Sequence, residues 1–203
     1  MHRHFMLALV LTVGTGKQLP AAENWPQWRG PLGSGVAADG DYPVEFSNES
    51  GVLWKVPMPS PGSSTPAIWD DRIFVTCEID GKDGVLCYDM NGTELWRKVL
   101  GEGRPGKHRN ASGSNPSPAT DGRIVVSYFK SGEVACHDVE GNEKWRVNLQ
   151  KRNGEDTLWW DLGTSPILAD DRVIVAVVQA GDSYLTALDL KNGETLWKQA
   201  RKY

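Results

Sequence analysis

The sequence is poor in cysteine and has no long hydrophobic run beyond its first residues. The three cysteines, Cys77, Cys87 and Cys136, are far apart, so no two are adjacent, and none directly follows the apolar stretch near the N-terminus. A lipid anchor on a cysteine at that position is therefore not expected. No segment after residue 22 is apolar and long enough to suggest a membrane-spanning helix.

Positive charge is also scarce. The chain of 203 residues has 22 basic and 26 acidic residues and a formal net charge of −4. Residues 1–22 contain only Arg3 and Lys17 among these charged residues, so the remainder is more acidic still. This balance argues against a general nucleic-acid-binding protein.

One short phrase occurs three times in the chain, as NGTELW, GNEKW and NGETLW, and its closing tryptophans are Trp96, Trp145 and Trp197. An aspartate precedes each tryptophan by seven or eight residues, at Asp89, Asp138 and Asp189. Each unit also begins with a proline among small residues (Pro66, Pro118, Pro166), followed by an acidic turn and a β-branched run. Anchors that recur in the same order indicate a repeat architecture.

Each unit reads as four short strands divided by Gly, Asp and Asn turns, with no amphipathic helix of useful length. Proline cannot donate a ladder hydrogen bond, so the strand that contains it is expected at a sheet edge. That position suits the innermost strand of a propeller blade. The predicted strands are 64–69, 73–78, 85–89 and 94–99 in the first unit, 115–120, 124–129, 133–138 and 143–149 in the second, and 164–169, 173–179, 184–189 and 195–199 in the third.

These repeats resemble the PQQ-like (pyrroloquinoline-quinone-like) β-propeller repeat. The N-terminal segments NWPQWRGPLGSGV and VLWKVPMP resemble the opening of secreted bacterial propellers described as PQQ-binding-like or as relatives of the outer-membrane assembly factor BamB. The resemblance implies an all-β fold of four-stranded antiparallel blades. The predicted blades are about 63–100, 114–149 and 163–200 within a repeat region at 63–203.

The first residues have the pattern of an export signal. A basic tip and an apolar core at 5–13 precede small residues at Ala21 and Ala22, so residues 1–22 are predicted to be a secretory signal peptide. The expected location is therefore periplasmic or secreted. Residues 23–62 form an N-terminal segment before the blades.

That N-terminal segment contains one further strand prediction. Residues 52–56, with Trp54, resemble the outermost strand of a blade that has no other strands in this sequence. Propellers close with roughly four to eight blades. We therefore expect an incomplete propeller, either the N-terminal portion of a longer one or a truncated gene product, whose first and last blades are poorly stabilised.

The two long links between blades contain the candidate site residues. The first, at 101–114, gathers Arg104, Lys107, His108 and Arg109, and is either a solvated loop or an anion contact. The second, at 153–163, places Trp159 and Trp160 before Asp161. The paired aromatics either form a stacking platform for a sugar or flat cofactor or fill a gap between blades. His108, Arg109, Trp159, Trp160 and Asp161 are the candidate ligand-binding residues.

The cysteines leave two interpretations open. Cys87 and Cys136 occupy the repeat position of Ala187, which favours small apolar packing over a redox role. Cys77 and Cys87 lie on strands that are expected to pair, so a cross-strand disulfide is conceivable but not deducible. The segment DGKDG at 80–84 is a poor calcium loop because Lys82 stands where an oxygen ligand is needed.

Three functions follow as hypotheses. The leading one is an exported, non-catalytic binding or scaffold module whose partner is an envelope protein or a small ligand. The second is a PQQ-dependent dehydrogenase whose active site lies mostly beyond Tyr203. By resemblance it would need calcium, a carboxylate base and often a vicinal cysteine pair, and none of these is assignable to positions of this chain. The third is a carbohydrate-binding propeller that uses Trp159 and Trp160. No catalytic residue, metal ligand or cofactor is assigned, because fold alone does not establish activity.

Overall fold

Three separate antiparallel sheets make up the fold. The computed structural model describes residues 24–47, 49–109, 111–158, 160–179 and 181–201; the predicted signal peptide lies outside them. Each sheet has four strands in sequence order, each paired with the next. The first sheet contains β1 (Ala67–Trp69), β2 (Arg72–Ile79), β3 (Lys82–Asp89) and β4 (Glu94–Glu102).

The other two sheets repeat this arrangement. The second contains β5 (Ala119–Thr120), β6 (Ile124–Tyr128), β7 (Glu133–Asp138) and β8 (Glu143–Asn148). The third contains β9 (Ile167–Ala169), β10 (Arg172–Val177), β11 (Tyr184–Asp189) and β12 (Thr195–Ala200). The predicted class, an all-β propeller of four-stranded antiparallel blades, is confirmed. We refer to the sheets as blades 1, 2 and 3.

The first strands of the blades gather at one side, where a propeller has its axis. β1 contacts β5, and β5 contacts β9. Pro66, Pro118 and Pro166 each stand directly before one of these inner strands. The residue before each proline links the blades, because Thr65 N donates to Ser117 Oγ at 2.9 Å and Ser117 N donates to Ser165 Oγ at 2.9 Å.

The N-terminal segment lies along these inner strands. Trp25 pairs with Ile68 of β1 through two backbone hydrogen bonds, and Thr120 N donates to Pro26 O. The segment therefore contacts both blade 1 and blade 2 at the axis and satisfies backbone groups that an edge strand would leave unpaired.

Tryptophan side chains join consecutive blades through a contact that recurs. Trp96 Nε1 of β4 donates to Val139 O of blade 2 at 2.9 Å, and Trp145 Nε1 of β8 donates to Leu190 O of blade 3 at 2.8 Å. The accepting carbonyl directly follows the repeated aspartate in each case. Trp197 is the equivalent residue of β12; it is 41% exposed and makes no such contact among the described residues.

A glycine lies under each of these indoles. Gly141 has a φ of 88°, and a Cβ added there would lie 2.8 Å from Cδ2 of Trp96; Gly193, with a φ of 70°, stands in the same relation to Trp145. The aspartate holds this turn in place, since Asp138 Oδ1 accepts the backbone N–H of Asn142 and Asp189 Oδ1 accepts that of Lys191. The aspartate, the glycine and the preceding blade's tryptophan thus form one unit, which we call the tryptophan dock.

The prediction of a strand at residues 52–56 was wrong. These residues are described and form no strand, because no neighbouring strand offers them a backbone ladder. Trp54 nevertheless completes a tryptophan dock on blade 1: its Nε1 donates to Met90 O at 2.8 Å, and its indole lies over Gly92.

Hydrophobic clusters fill the gaps between blades. Val85, Phe74 and Cys87 of blade 1 pack with Val125, Phe129 and Ala135 of blade 2, and a larger cluster joins blades 2 and 3.

A short helix, α1 (Leu149–Asn153), follows β8 where the sequence predicted the strand to reach residue 149; Asn148 caps it by accepting the N–H of Lys151. None of the helices in the described part of the chain has the length and apolarity needed to span a membrane.

The cysteines are packing residues. Cys77 lies opposite Gly84 and Cys87 lies opposite Phe74, so the two thiols belong to different clusters and form no disulfide. Burial raises the pKa of both thiols to about 11 and that of Cys136 to about 12. A thiol with so high a pKa is a poor nucleophile at neutral pH.

Candidate functional site

The two links between blades contact each other around a buried ion pair. Lys130 Nζ donates to Asp161 Oδ1 at 2.6 Å and to Pro105 O at 2.7 Å. The two charged side chains are only 6% and 8% exposed. Lys130 follows the apolar strand β6, so this cation enters the site from the rigid part of blade 2.

Asp161 also fixes the backbone of the first link. Its carboxylate accepts the N–H of Lys107 at 2.8 Å and that of His108 at 2.9 Å. Lys107 Nζ returns a hydrogen bond to Leu158 O. We call Lys130, Asp161 and the two backbone N–H groups the link clasp.

Arg104 adds a second connection beside the clasp. Its guanidinium donates to Gln150 Oε1 at 2.8 Å and to Glu155 Oε1 at 2.9 Å. Gln150 lies in α1, so the helix missed by sequence analysis supplies part of the support for the first link. The link predicted to be either a solvated loop or an anion contact is therefore attached at several points.

Asp161 is charged in this setting. Burial opposes its ionisation, but the hydrogen bond from Lys130 and those from the backbone of Lys107 and His108 outweigh that cost, and the pKa of Asp161 lies below its usual value. The stability that the carboxylate contributes is present above the pKa of an unfolded aspartate, near 4, and is lost as the pH falls through the folded value.

The structure brings most of the predicted site residues together. Asp161 contacts the backbone of His108, and Arg109 follows in the same exposed segment. Trp160 adjoins Asp161 and is 53% exposed. Trp159 lies outside the described residues. Sequence reasoning missed Lys130, whose only local signal is a lysine at the end of an apolar strand, directly before a turn.

A second buried carboxylate, Asp83, lies at the junction of blades 1 and 2. It is 1% exposed and accepts a hydrogen bond from Ser131 Oγ. Burial is the main cause that raises its pKa to about 7; the Ser131 hydrogen bond opposes the rise, and the charges of Glu133 and Glu78 add to it. Asp83 belongs to the segment DGKDG and is a structural residue of the blade interface.

The described residues show no cluster of metal-binding side chains. Within the described ranges, no three His, Cys, Asp or Glu side chains converge in a way that could hold a metal ion. No residue of this part of the chain is assigned to the calcium that resemblance to quinoprotein dehydrogenases would imply, and no catalytic step is assigned through it.

The family comparison matches more than half of the chain. A family model described as "Outer membrane protein assembly factor BamB" matches residues 81–203, which contain the clasp and most of the repeat region. No curated protein matches the sequence.

Solved structures share the fold at low identity. Quinohemoprotein alcohol dehydrogenase from Comamonas testosteroni is 18% identical, with a TM-score of 0.64, over 89% of this chain and 27% of its own. BamB from Moraxella catarrhalis is 18% identical, with a TM-score of 0.50, over 72% of this chain and 41% of its own. The chain thus spans less than half the length of either protein, and likeness at this identity shows the fold alone.

We expect Asp161→Asn to lower the free energy of unfolding by about 3 kcal/mol, because Lys130 would remain buried without a counter-ion. Urea denaturation measures this change. Trypsin cleavage after Lys107 or Arg109 should also become faster as the first link loosens. Glu102→Gln is the control, since Glu102 forms an exposed ion pair with Lys82 at 3.6 Å, and such pairs contribute at most about 1 kcal/mol. Equal effects of the two substitutions would contradict the assigned role of the clasp.

Asp83 should make the fold less stable as the pH rises from about 4 to 7. Within that window the folded chain holds a proton on Asp83 (pKa about 7) that the unfolded chain releases. Asp83→Asn keeps an acceptor for Ser131 and should remove a pH-dependent loss on the order of 2–4 kcal/mol, as measured by urea denaturation across this range. Asp80→Asn changes an exposed neighbour and should leave the pH profile as it is. An unaltered profile in Asp83→Asn would refute this assignment.

Proposed function

We propose that this chain, which belongs to the family of the outer-membrane protein assembly factor BamB, is a non-catalytic binding or scaffold module of the bacterial cell envelope. The observation that carries the proposal is the link clasp. A buried Lys130–Asp161 pair holds two surface links in a fixed arrangement, with exposed side chains around it and no catalytic group assigned among them.

The clasp is a costly way to stabilise a fold. Removing two charges from water costs several kcal/mol for each ion, and apolar residues at such positions often stabilise a protein as well or better. The pair instead fixes the position of the first link, because Asp161 orients the backbone of both Lys107 and His108. A fixed backbone lowers the entropy that binding would otherwise cost.

The side chains displayed by the clasp suit a protein or peptide partner. Arg109 and Trp160 are exposed, and arginine and tryptophan are enriched among the residues that dominate binding energy at interfaces. The side chain of Arg109 has no ion-pair partner among the described residues. A segment with a carboxylate and an apolar side chain is the partner chemistry that this surface favours.

Export is part of the same proposal. Its support is the sequence pattern of residues 1–22 together with the outer-membrane role named in the family description. The partner would then be an envelope protein. The net negative charge of the chain argues against nucleic acid as a partner.

The test is photocrosslinking in intact cells of the source organism. A benzophenone residue is placed at Trp160, which is 53% exposed, and the control places it at Trp28, which is 54% exposed. We expect a discrete adduct with one envelope protein from position 160, little from position 28, and a weaker adduct from position 160 when Asp161→Asn is added. Adding Arg109→Glu to the chain with the probe at position 160 should reduce capture, whereas adding Arg29→Glu should not.

Three results would contradict the proposal. Identical adducts from positions 160 and 28 would show that the clasp surface has no special role. Saturable binding of an oligosaccharide that is lost in Trp160→Ala would favour the carbohydrate-binding alternative. Dye-linked oxidation of an alcohol by the chain after incubation with PQQ and calcium would favour the quinoprotein alternative.

A further inference from the structure

The gap between blades 1 and 2 is closed by two contacts near its turns. Trp69 of β1 lies against Gly122 of blade 2, where an added Cβ would stand 2.3 Å from the indole Nε1. Arg72 of β2 reaches across to Glu140, with its Nη2 3.6 Å from Oε1 of the carboxylate. One large ring and one ion pair thus seal this gap.

The gap between blades 2 and 3 lacks both closures. Strand register makes Ile124 the counterpart of Arg72, because Arg72 pairs with Asp89 and Ile124 pairs with Asp138. By the same register Lys191 is the counterpart of Glu140. Asp121 and Asp170 likewise replace Trp69 and Gly122. In the second gap, the small side chain of Asp121 therefore occupies the position of the Trp69 ring. Ile124 and Lys191 occupy the positions of the two residues of the ion pair.

A cleft of about 520 Å³ results, with Ile124, Cys136 and Leu190 among its lining residues. Its volume falls within the range of roughly 300–1,000 Å³ typical of small-molecule sites. The three apolar residues belong to strands β6 and β7 and to the turn after β11, so the floor is formed by the rigid part of both blades.

The charged groups around this floor differ in whether they have an ion-pair partner. Arg123 pairs with Asp121 at 2.6 Å and Lys144 pairs with Asp138 at 3.1 Å, so these residues are already neutralised. The side chains of Lys191 and Asp170 both line the cleft, and neither has a partner in the part of the chain that the structure describes. One cation and one carboxylate are therefore available above an apolar floor.

We infer that this cleft binds a small zwitterion with one apolar side chain, of the class of hydrophobic α-amino acids. The ligand's carboxylate would meet Lys191, its ammonium group would meet Asp170, and its side chain would cover Ile124 and Leu190. This site is separate from the link clasp and does not rest on the proposed scaffold role.

Calorimetric titration of the full chain with L-phenylalanine and L-leucine tests the inference. Both should bind saturably. N-Acetyl-L-phenylalanine lacks the ammonium charge, phenethylamine lacks the carboxylate, and glycine lacks the apolar side chain. Each should bind about tenfold more weakly or worse, since the loss of one charge-assisted contact or of the buried side chain costs at least about 1.4 kcal/mol.

The closed gap between blades 1 and 2 shows which substitutions should close the cleft. The double substitution Ile124→Arg with Lys191→Glu recreates the ion pair that closes the first gap and should abolish binding. Should that variant fail to fold, Asp170→Asn with Lys191→Gln carries the test. Both positions are exposed, and asparagine tolerates the φ of 51° at position 170. Circular dichroism and the unfolding midpoint confirm that each variant is folded.

Absence of saturable binding by both amino acids would overturn the inference. Undiminished binding in the Asp170→Asn, Lys191→Gln variant would also overturn it, as would binding of the three analogues as tight as that of L-phenylalanine and L-leucine. Binding that the closing substitutions abolish and that Lys82→Glu, on the exposed surface of blade 1, leaves intact would establish the site.

Discussion

The tryptophan dock is the interaction on which the rest of this structure depends. Each blade is a small sheet that cannot bury both faces alone, so the fold requires a reliable way to set one blade against the next. The indole of one blade lies over a glycine of the following blade and donates to the carbonyl beside the repeated aspartate. This contact sets the orientation and the spacing of the two blades and joins them by a hydrogen bond.

Two separate constraints require glycine at this turn. The positive φ of Gly141 disfavours a side chain, and the indole of Trp96 leaves no room for one. Trp54 makes the same contact with blade 1 although its segment forms no strand. The dock therefore depends on the indole and the turn, and a paired strand around the tryptophan is not required.

With the docks in place, the remaining contacts between blades are free to differ. The first gap is closed by Trp69 and by the Arg72–Glu140 pair, whereas the second has shorter or unmatched residues at the same positions and opens into a cleft. The two links differ from ordinary loops in the same way, since Lys130 and Asp161 attach them to each other and to blade 2. Features that are not shared by all repeats are where specific function is most expected.

The repeated anchors made the fold class and most strands predictable from sequence. Aspartate, glycine and tryptophan act within one turn or one neighbouring blade, so their spacing is visible along the chain. The strands β7 and β11 agree with the predicted ranges at both ends. The prediction for residues 52–56 failed because Trp54 imitates a dock tryptophan without a sheet around it.

The candidate site was only partly predictable. His108, Arg109 and Asp161 were recognised as unusual, but their partner Lys130 lies 31 residues before Asp161 and comes from a different structural unit. Nothing local in the sequence distinguishes a lysine that folding will bury from an exposed one. The same holds for Asp83, which is 1% exposed and accepts a hydrogen bond from Ser131, 48 residues away.

The central claim, that the dock sets one blade against the next, is tested most directly by comparing Gly141→Ala with Gly81→Ala in urea denaturation. Both glycines have a positive φ, 88° and 77°, but an added Cβ meets Trp96 at Gly141 and nothing within 4 Å at Gly81. Gly81→Ala should therefore cost only the backbone penalty of about 1–2 kcal/mol. Gly141→Ala should cost a further 1–3 kcal/mol or so, because the indole must shift. Equal costs for the two substitutions would show that the indole does not pack tightly on the turn, and would contradict the account.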